Sequence, residues 1–155
     1  MKIKGSTRKV LAEIKYPLGY KRFSKIFKRI KKSERRFFIK LLKVICKDIK
    51  NKEMIQFATY SHINLNQRGL FILLQDRIVM VHSKVKSKRT YYEVVPYSNI
   101  VEIGFEEETE DGFGELFFKY KRKKLSEKML TVRMIKSDDL PNIVEFIRMN
   151  MSETL

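Results

Sequence analysis

Two short apolar runs with two residues between them constrain this chain more than any other feature. Gly69-Leu-Phe-Ile-Leu-Leu74 and Arg77-Ile-Val-Met-Val-His82 flank Gln75-Asp76. A two-residue connection between such runs is the mark of a β-hairpin. Phe57 to Ile63 precedes the pair as a further strand-like segment. Thr90-Tyr-Tyr-Glu-Val-Val95, Ile100-Val-Glu-Ile-Gly-Phe105, Gly114-Glu-Leu-Phe-Phe-Lys-Tyr120 and Met129-Leu-Thr-Val-Arg-Met-Ile135 follow it. Pro96-Tyr-Ser-Asn99 reads as a turn, Glu106 to Asp111 as an acidic connection, and Lys84 to Arg89 and Lys121 to Lys124 as basic tips. Ser137-Asp-Asp139 predicts a closing helix, with Ser137 as its cap and acids in its first turn. Pro141 falls early in that helix, and Ile143, Val144, Phe146, Ile147 and Met151 form its apolar face. Seven short strands and a terminal helix predict an α+β architecture, a small antiparallel barrel or sandwich, rather than alternating βαβ units.

The first third is built differently. Of the 34 Lys and Arg residues in the 155-residue chain, 19 fall in residues 1–52, against three acids there, Glu13, Glu34 and Asp48. Residues 53–155 carry 15 residues of each sign, so the whole net charge of +16 belongs to the first segment. The expected division is a basic helical arm over 1–55 and a domain over 56–155. Tyr16 to Gly19 reads as a turn. From Tyr20 to Asn51 there is no proline or glycine, and Phe23, Ile26, Phe27, Ile30, Phe37, Phe38, Leu41 and Ile45 recur at three- and four-residue spacing. That period predicts a long amphipathic helix, or two helices if Ser33 caps a second. Lys25, Lys28, Arg29, Lys32, Arg36, Lys40, Lys43 and Lys47 fall on the opposite face.

Such a helix has several uses. Its apolar stripe can pack on the domain while the basic face is merely solvated. The basic face can instead meet nucleic-acid phosphates. The helix can lie in an anionic membrane surface, with Phe23, Phe27 and Ile30 inserted. Tyr20, Phe23, Phe27, Ile30, Phe37, Leu41 and Val44 also step like a coiled-coil seam, which Glu34 and Asp48 interrupt.

Chemistry-bearing constellations are sparse. The single cysteine, Cys46, excludes an intramolecular disulfide and a multi-cysteine zinc site. His62 and His82 are the two histidines, and His82 sits in an apolar strand, where a half-buried structural residue is expected. Glu106 to Asp111 lacks the spaced ligands of a calcium loop. There is no glycine-rich phosphate loop and no nucleophile motif. No catalytic residue, metal or cofactor is therefore expected. No apolar run reaches the ~18 residues of a membrane span, and the basic start lacks an apolar signal stretch, so an intracellular protein is expected.

The strings GLFILLQDRIVMVHS, VVPYSNIVEIGF, GELFFKY, LTVRMI and DDLPNIVEFIRMN together resemble the bacterial pleckstrin-homology-like (PH-like) domain. The carrying pieces are the turn Leu74-Gln75-Asp76-Arg77 and the segment Pro96-Tyr97-Ser98-Asn99-Ile100, and the resemblance spans about residues 57–151. It implies two packed antiparallel sheets of seven strands, with the C-terminal helix plugging one end. It implies a binding scaffold without catalytic residues. Lipid-binding members of the wider fold hold inositol phosphates with basic residues after the first strand. Ile63 to Gly69 offers only Arg68 there. The resemblance also implies that the tips after strands three and six open together. Lys84, Lys86, Lys88, Arg89, Lys121, Arg122, Lys123 and Lys124 would then form a second basic patch.

The expected function is that of a non-enzymatic binding protein. The PH-like body would serve a protein partner, and Lys25, Lys28, Arg29, Lys32, Arg36, Lys40, Lys43 and Lys47 would hold nucleic acid without sequence preference. Peripheral attachment to the inner face of an anionic membrane is the first alternative. An oligomerising or inhibitory interaction module is the second.

Overall fold

The computed structural model describes residues 10–11, 14–26, 40, 43, 49–50, 52–64, 67–84, 89–107 and 112–151. A two-residue strand β1 (Leu18–Gly19) runs into helix α1 (Tyr20–Ile26) and pairs antiparallel with β2 (Met54–Ile55). Seven further strands follow: β3 (Phe57–Ile63), β4 (Gln67–Leu73), β5 (Arg77–Lys84), β6 (Thr90–Pro96), β7 (Ile100–Glu107), β8 (Phe113–Arg122) and β9 (Leu125–Lys136). Helix α2 (Leu140–Asn150) closes the described chain. These are the seven strands and the closing helix that the alternation and the turn residues predict.

The seven strands form one hydrogen-bonded sheet in the order β6-β5-β4-β3-β9-β8-β7. The two expected sheets are thus halves of one curled sheet. They join where His62 and Ile63 at the end of β3 pair with Arg133 and Val132 of β9, and where the Asn64 amide donates to the Thr131 carbonyl. From that corner β9 turns across the first half. Lys128, four residues before Val132, bonds Glu93 of β6 at 2.7 Å. Four strand residues span ~13 Å, close to the ~14 Å between the first and fourth strands of a sheet. β9 therefore crosses from one edge of the first half to the other.

Side chains alternate along each strand, so the curled sheet has an inner and an outer face. Phe71, Leu73, Ile78 and Met80 from the first half meet Leu116, Phe118, Leu130 and Val132 from the second on the inside. The buried face of α2, Leu140, Ile143, Val144 and Ile147, joins that core. The outer face of β3, β4 and β5 carries a second core. There Ala58, Tyr60, Leu70, Ile72, Val79 and Val81 pack with Leu11, Tyr20, Phe23, Ile49 and Ile55.

Two expectations change. Phe23 is fully buried in the outer core, as is Tyr20, so neither lies on a lipid-facing side or an open coiled-coil seam. Burying a phenylalanine contributes about 1.5–3 kcal/mol, which holds it there. Ser137 does not cap α2. The helix starts after Asp139 without a side-chain cap, no acid lies in its first turn, and Pro141 occupies that turn. The Ser137–Asp139 segment is instead a tight turn, with the Asp139 amide donating to the Lys136 carbonyl and the Leu140 amide to the Ser137 carbonyl. Lys40 and Lys43 have helical backbone. The rest of the predicted helix from residue 27 to 48 lies outside the described residues.

Candidate polyanion-binding surface

Helix α1 is apolar on one side and cationic on the other. Tyr20 and Phe23 enter the outer core, while Lys21, Arg22 and Lys25 are exposed. The chain reaches this helix through Tyr16, whose hydroxyl donates to the Ala58 carbonyl at 3.2 Å and whose ring tilts on Phe57 at 5.8 Å. Glu53 fastens the other end of the segment. Its carboxylate accepts two bonds from the Arg77 guanidinium, at 2.9 and 3.1 Å, and its carbonyl accepts the Tyr20 amide. The Arg77 bonds hold the Glu53 carboxyl below its ordinary range.

The predicted bases divide two ways. Lys25, Lys40 and Lys43 are exposed. Lys28, Arg29, Lys32, Arg36 and Lys47 lie outside the described residues. Lys21, Arg22, Lys50 and Lys52 are exposed too and were not among the predicted contacts, although Lys21 and Arg22 directly precede Phe23 in the same amphipathic pattern. In the second predicted patch, Lys86 and Lys88 lie outside the described residues and Lys84 ends β5. Arg89 is exposed at the start of β6. Lys121, Lys123 and Lys124 are exposed on the β8–β9 turn, and Arg122 donates to the Ser126 carbonyl at 3.0 Å. Lys128 of β9, beyond the β8–β9 turn, bonds Glu93 of β6.

One cavity, about 290 Å³, is unsuited to an anion: Glu106, Glu107 and Glu115 line it with His62 and Arg133. A larger one, about 480 Å³, lies beside the β4–β5 turn, where Lys50 and Lys52 face Glu53 and Asp76. Among the described residues no cluster of three or more His, Cys, Asp or Glu is arranged to hold a metal. His82 is 2 % exposed, stacks on Tyr91 at 5.7 Å, and has no hydrogen-bond partner on either ring nitrogen among the described residues. Burial lowers its pKa, the nearby Glu93 carboxylate opposes that, and Lys128 adds to it. No described helix is long and apolar enough to cross a membrane.

The two motifs that carry the resemblance touch each other. Gln75-Asp76 forms the β4–β5 turn, with the Leu74 amide donating to the Arg77 carbonyl. Tyr97 donates its hydroxyl to the Leu74 carbonyl at 2.6 Å and its amide to the Asp76 carbonyl at 3.2 Å. Its ring meets Phe146 of α2 edge-on at 5.8 Å. Tyr97 thus forms a buried clasp between turn, sheet and helix.

Residues 49–149 match the family model described as bacterial PH domain. The match begins before β2 and so takes in Glu53 of the clasp on Arg77. Among solved structures, the hSac2 domain from human phosphoinositide phosphatase Sac2 matches with a TM-score of 0.52 at 17% identity. That match covers 77% of this chain and 84% of the other. A pleckstrin homology domain from Shewanella amazonensis SB2B gives 0.44 at 19% identity, over 74% and 89% of the two chains. The Vps36 N-terminal PH domain gives 0.43 at 14%, over 64% and 80%. At such identities the likeness is one of fold. No curated protein matches the chain.

Proposed function

The chain belongs to the bacterial PH domain family, and from that premise we propose that it is a non-catalytic, cytoplasmic binding module whose basic N-terminal segment holds nucleic acid by charge. Domains of this fold commonly serve as scaffolds for protein or lipid interaction, and the body here would carry a protein partner. The observation that carries the polyanion reading is the polarity of α1. Its aromatic residues are consumed by the outer core, and Lys21, Arg22 and Lys25 are left facing water. A helix seated this way attracts phosphates without inserting anything. The charge excess of residues 1–52 extends the same sign along the segment, with Lys25, Lys28, Arg29, Lys32, Arg36, Lys40, Lys43 and Lys47 as its contacts.

The mechanism is release of condensed counterions from the polyanion, so affinity must track salt. With about 6–8 phosphate contacts, binding to a random duplex should weaken by about 10³–10⁵ between roughly 50 and 200 mM salt. The test pairs that titration with vesicles containing and lacking anionic lipid. Steep, salt-dependent duplex binding supports the reading. Duplex affinity that ignores salt, or tight vesicle binding that survives it, overturns it. Contacts to phosphates carry no sequence information, so different duplex sequences should bind alike.

A further inference from the structure

The β8–β9 hairpin leaves the body. Its neighbour β7 pairs with β8 only as far as Tyr120, and β9 loses its other neighbour beyond the Asn64 amide, which donates to the Thr131 carbonyl. The last rung backed by the fold is Tyr120↔Lys128, where Lys128 bonds Glu93 of the edge strand. Past that rung, residues 121–127 form a two-stranded ribbon alone, closed by the Arg122↔Leu125 pair. Two residues of β8 and three of β9, capped by the Lys123-Lys124 turn, give it a reach of roughly 7–10 Å. Arg122 bonds Ser126 across the turn and braces the tip.

The tip combines two chemistries. Lys121, Lys123 and Lys124 are exposed around it. Leu125 stands among them at 64 % exposure, and Met129 follows at 49 %. Among the described residues nothing covers this leucine, which stands on a braced ribbon ringed by lysines. Among anionic partners, a bilayer fits poorly. Glu127 lies on the same row of β9 as Leu125 and Met129 and is itself exposed, so sinking that row into lipid would carry a carboxylate with it. A nucleic-acid groove suits the shape better. Grooves are ~7.5–8.5 Å deep and a two-stranded ribbon can enter one. Proteins that bend DNA set an apolar wedge between base steps while cationic side chains hold the flanking phosphates.

We propose that the β8–β9 tip is a second contact to duplex DNA, in which Lys121, Lys123 and Lys124 take phosphates beside a groove and Leu125 wedges against the bases. This rests on the nucleic-acid reading of the N-terminal segment and adds to it a site that reads deformability rather than sequence.

The experiment uses the full chain and a duplex of about 25 base pairs labelled at both ends. Lys121→Ser, Lys123→Ser and Lys124→Ser combined should reduce the slope of log affinity against log salt by about 3, at ~0.9 per lost phosphate contact. Leu125→Ser should leave that slope alone and return end-to-end energy transfer to that of straight duplex. All four positions are exposed, so the melting temperature should stay put and serve as the folding control. Intact protein that binds duplex with a slope and bend unchanged in both variants overturns the hairpin site and leaves the N-terminal reading standing. Intact protein that does not bind duplex overturns both. Variants that lose anionic vesicles but keep duplex overturn the site in favour of lipid.

Discussion

At the scale of single residues, the buried polar groups decide the testable behaviour. Tyr97→Phe removes one hydroxyl and leaves the Leu74 carbonyl buried without it. A loss of about 1–3 kcal/mol is expected in denaturant unfolding. His82 sets an acid limit. Burial lowers its folded pKa beneath the ordinary 6.5, so the unfolded chain binds the proton more readily. Stability from this group is intact above about pH 6.5 and falls as the pH drops from there towards the lowered value. His82→Phe should therefore lose less in melting temperature than the parent between about pH 7.5 and 5. A parent curve no steeper than the variant's would contradict this. Sequence alone places His82 in an apolar strand and expects a satisfied, half-buried residue there; the strand is right, but the side chain is buried and neither ring nitrogen has a hydrogen-bond partner among the described residues. Gly69 was legible only as the start of a run. It lies inside β4, where an added methyl would stand 1.9 Å from the Val81 carbonyl oxygen. That proximity comes from the neighbouring strand, and no local pattern encodes it.

At the scale of elements, what was legible had a local cause. The seven strands follow from turn residues and apolar runs, and their positions agree with expectation to within a few residues. The first turn of α2 misled because Ser137 followed by two acids imitates a capped start. Pro141 was the truer signal, since its missing amide belongs in a first turn. The Ser137 hydroxyl is buried and makes no hydrogen bond among the described residues. Ser137→Ala should then change stability by less than about 0.5 kcal/mol, where a capping serine would lose about 1. Helix α1 shows the opposite case. Its amphipathic period was plain, but whether its stripe met the domain, a lipid or another copy was not, because periodicity gives a face and never its occupant. Phe23 settles that for its own position. Phe23→Ala should cost about 3–5 kcal/mol in the midpoint of chemical unfolding, the range of a core aromatic and far beyond that of a residue on a loose arm.

At the scale of the whole molecule, one curled sheet carries a core on each face. The inner core is the one the family pattern implies. The outer core depends on residues from the basic segment, so the part that brings the charge also covers the sheet. That arrangement could not be read from the chain, since it joins Leu11 and Phe23 to Val81 through space alone. The surface bases were readable as charge and not as positions. Lys21 and Arg22 emerged only once Phe23 had a fixed direction, and the β8–β9 tip only once β9 was seen to cross the first half of the sheet. Double coverage has a consequence for how this protein tolerates variation. Residues from Leu70 to Leu74 and from Ile78 to Ser83 are buried without a break. A strand with one wet face accepts a charge at every second position, and β8 should do so. In β4 and β5 a saturation library should instead return two solid blocks, with lysine and aspartate refused at odd and even positions alike. The rhythm of two that marks most antiparallel sheets would be missing from the record of surviving variants there.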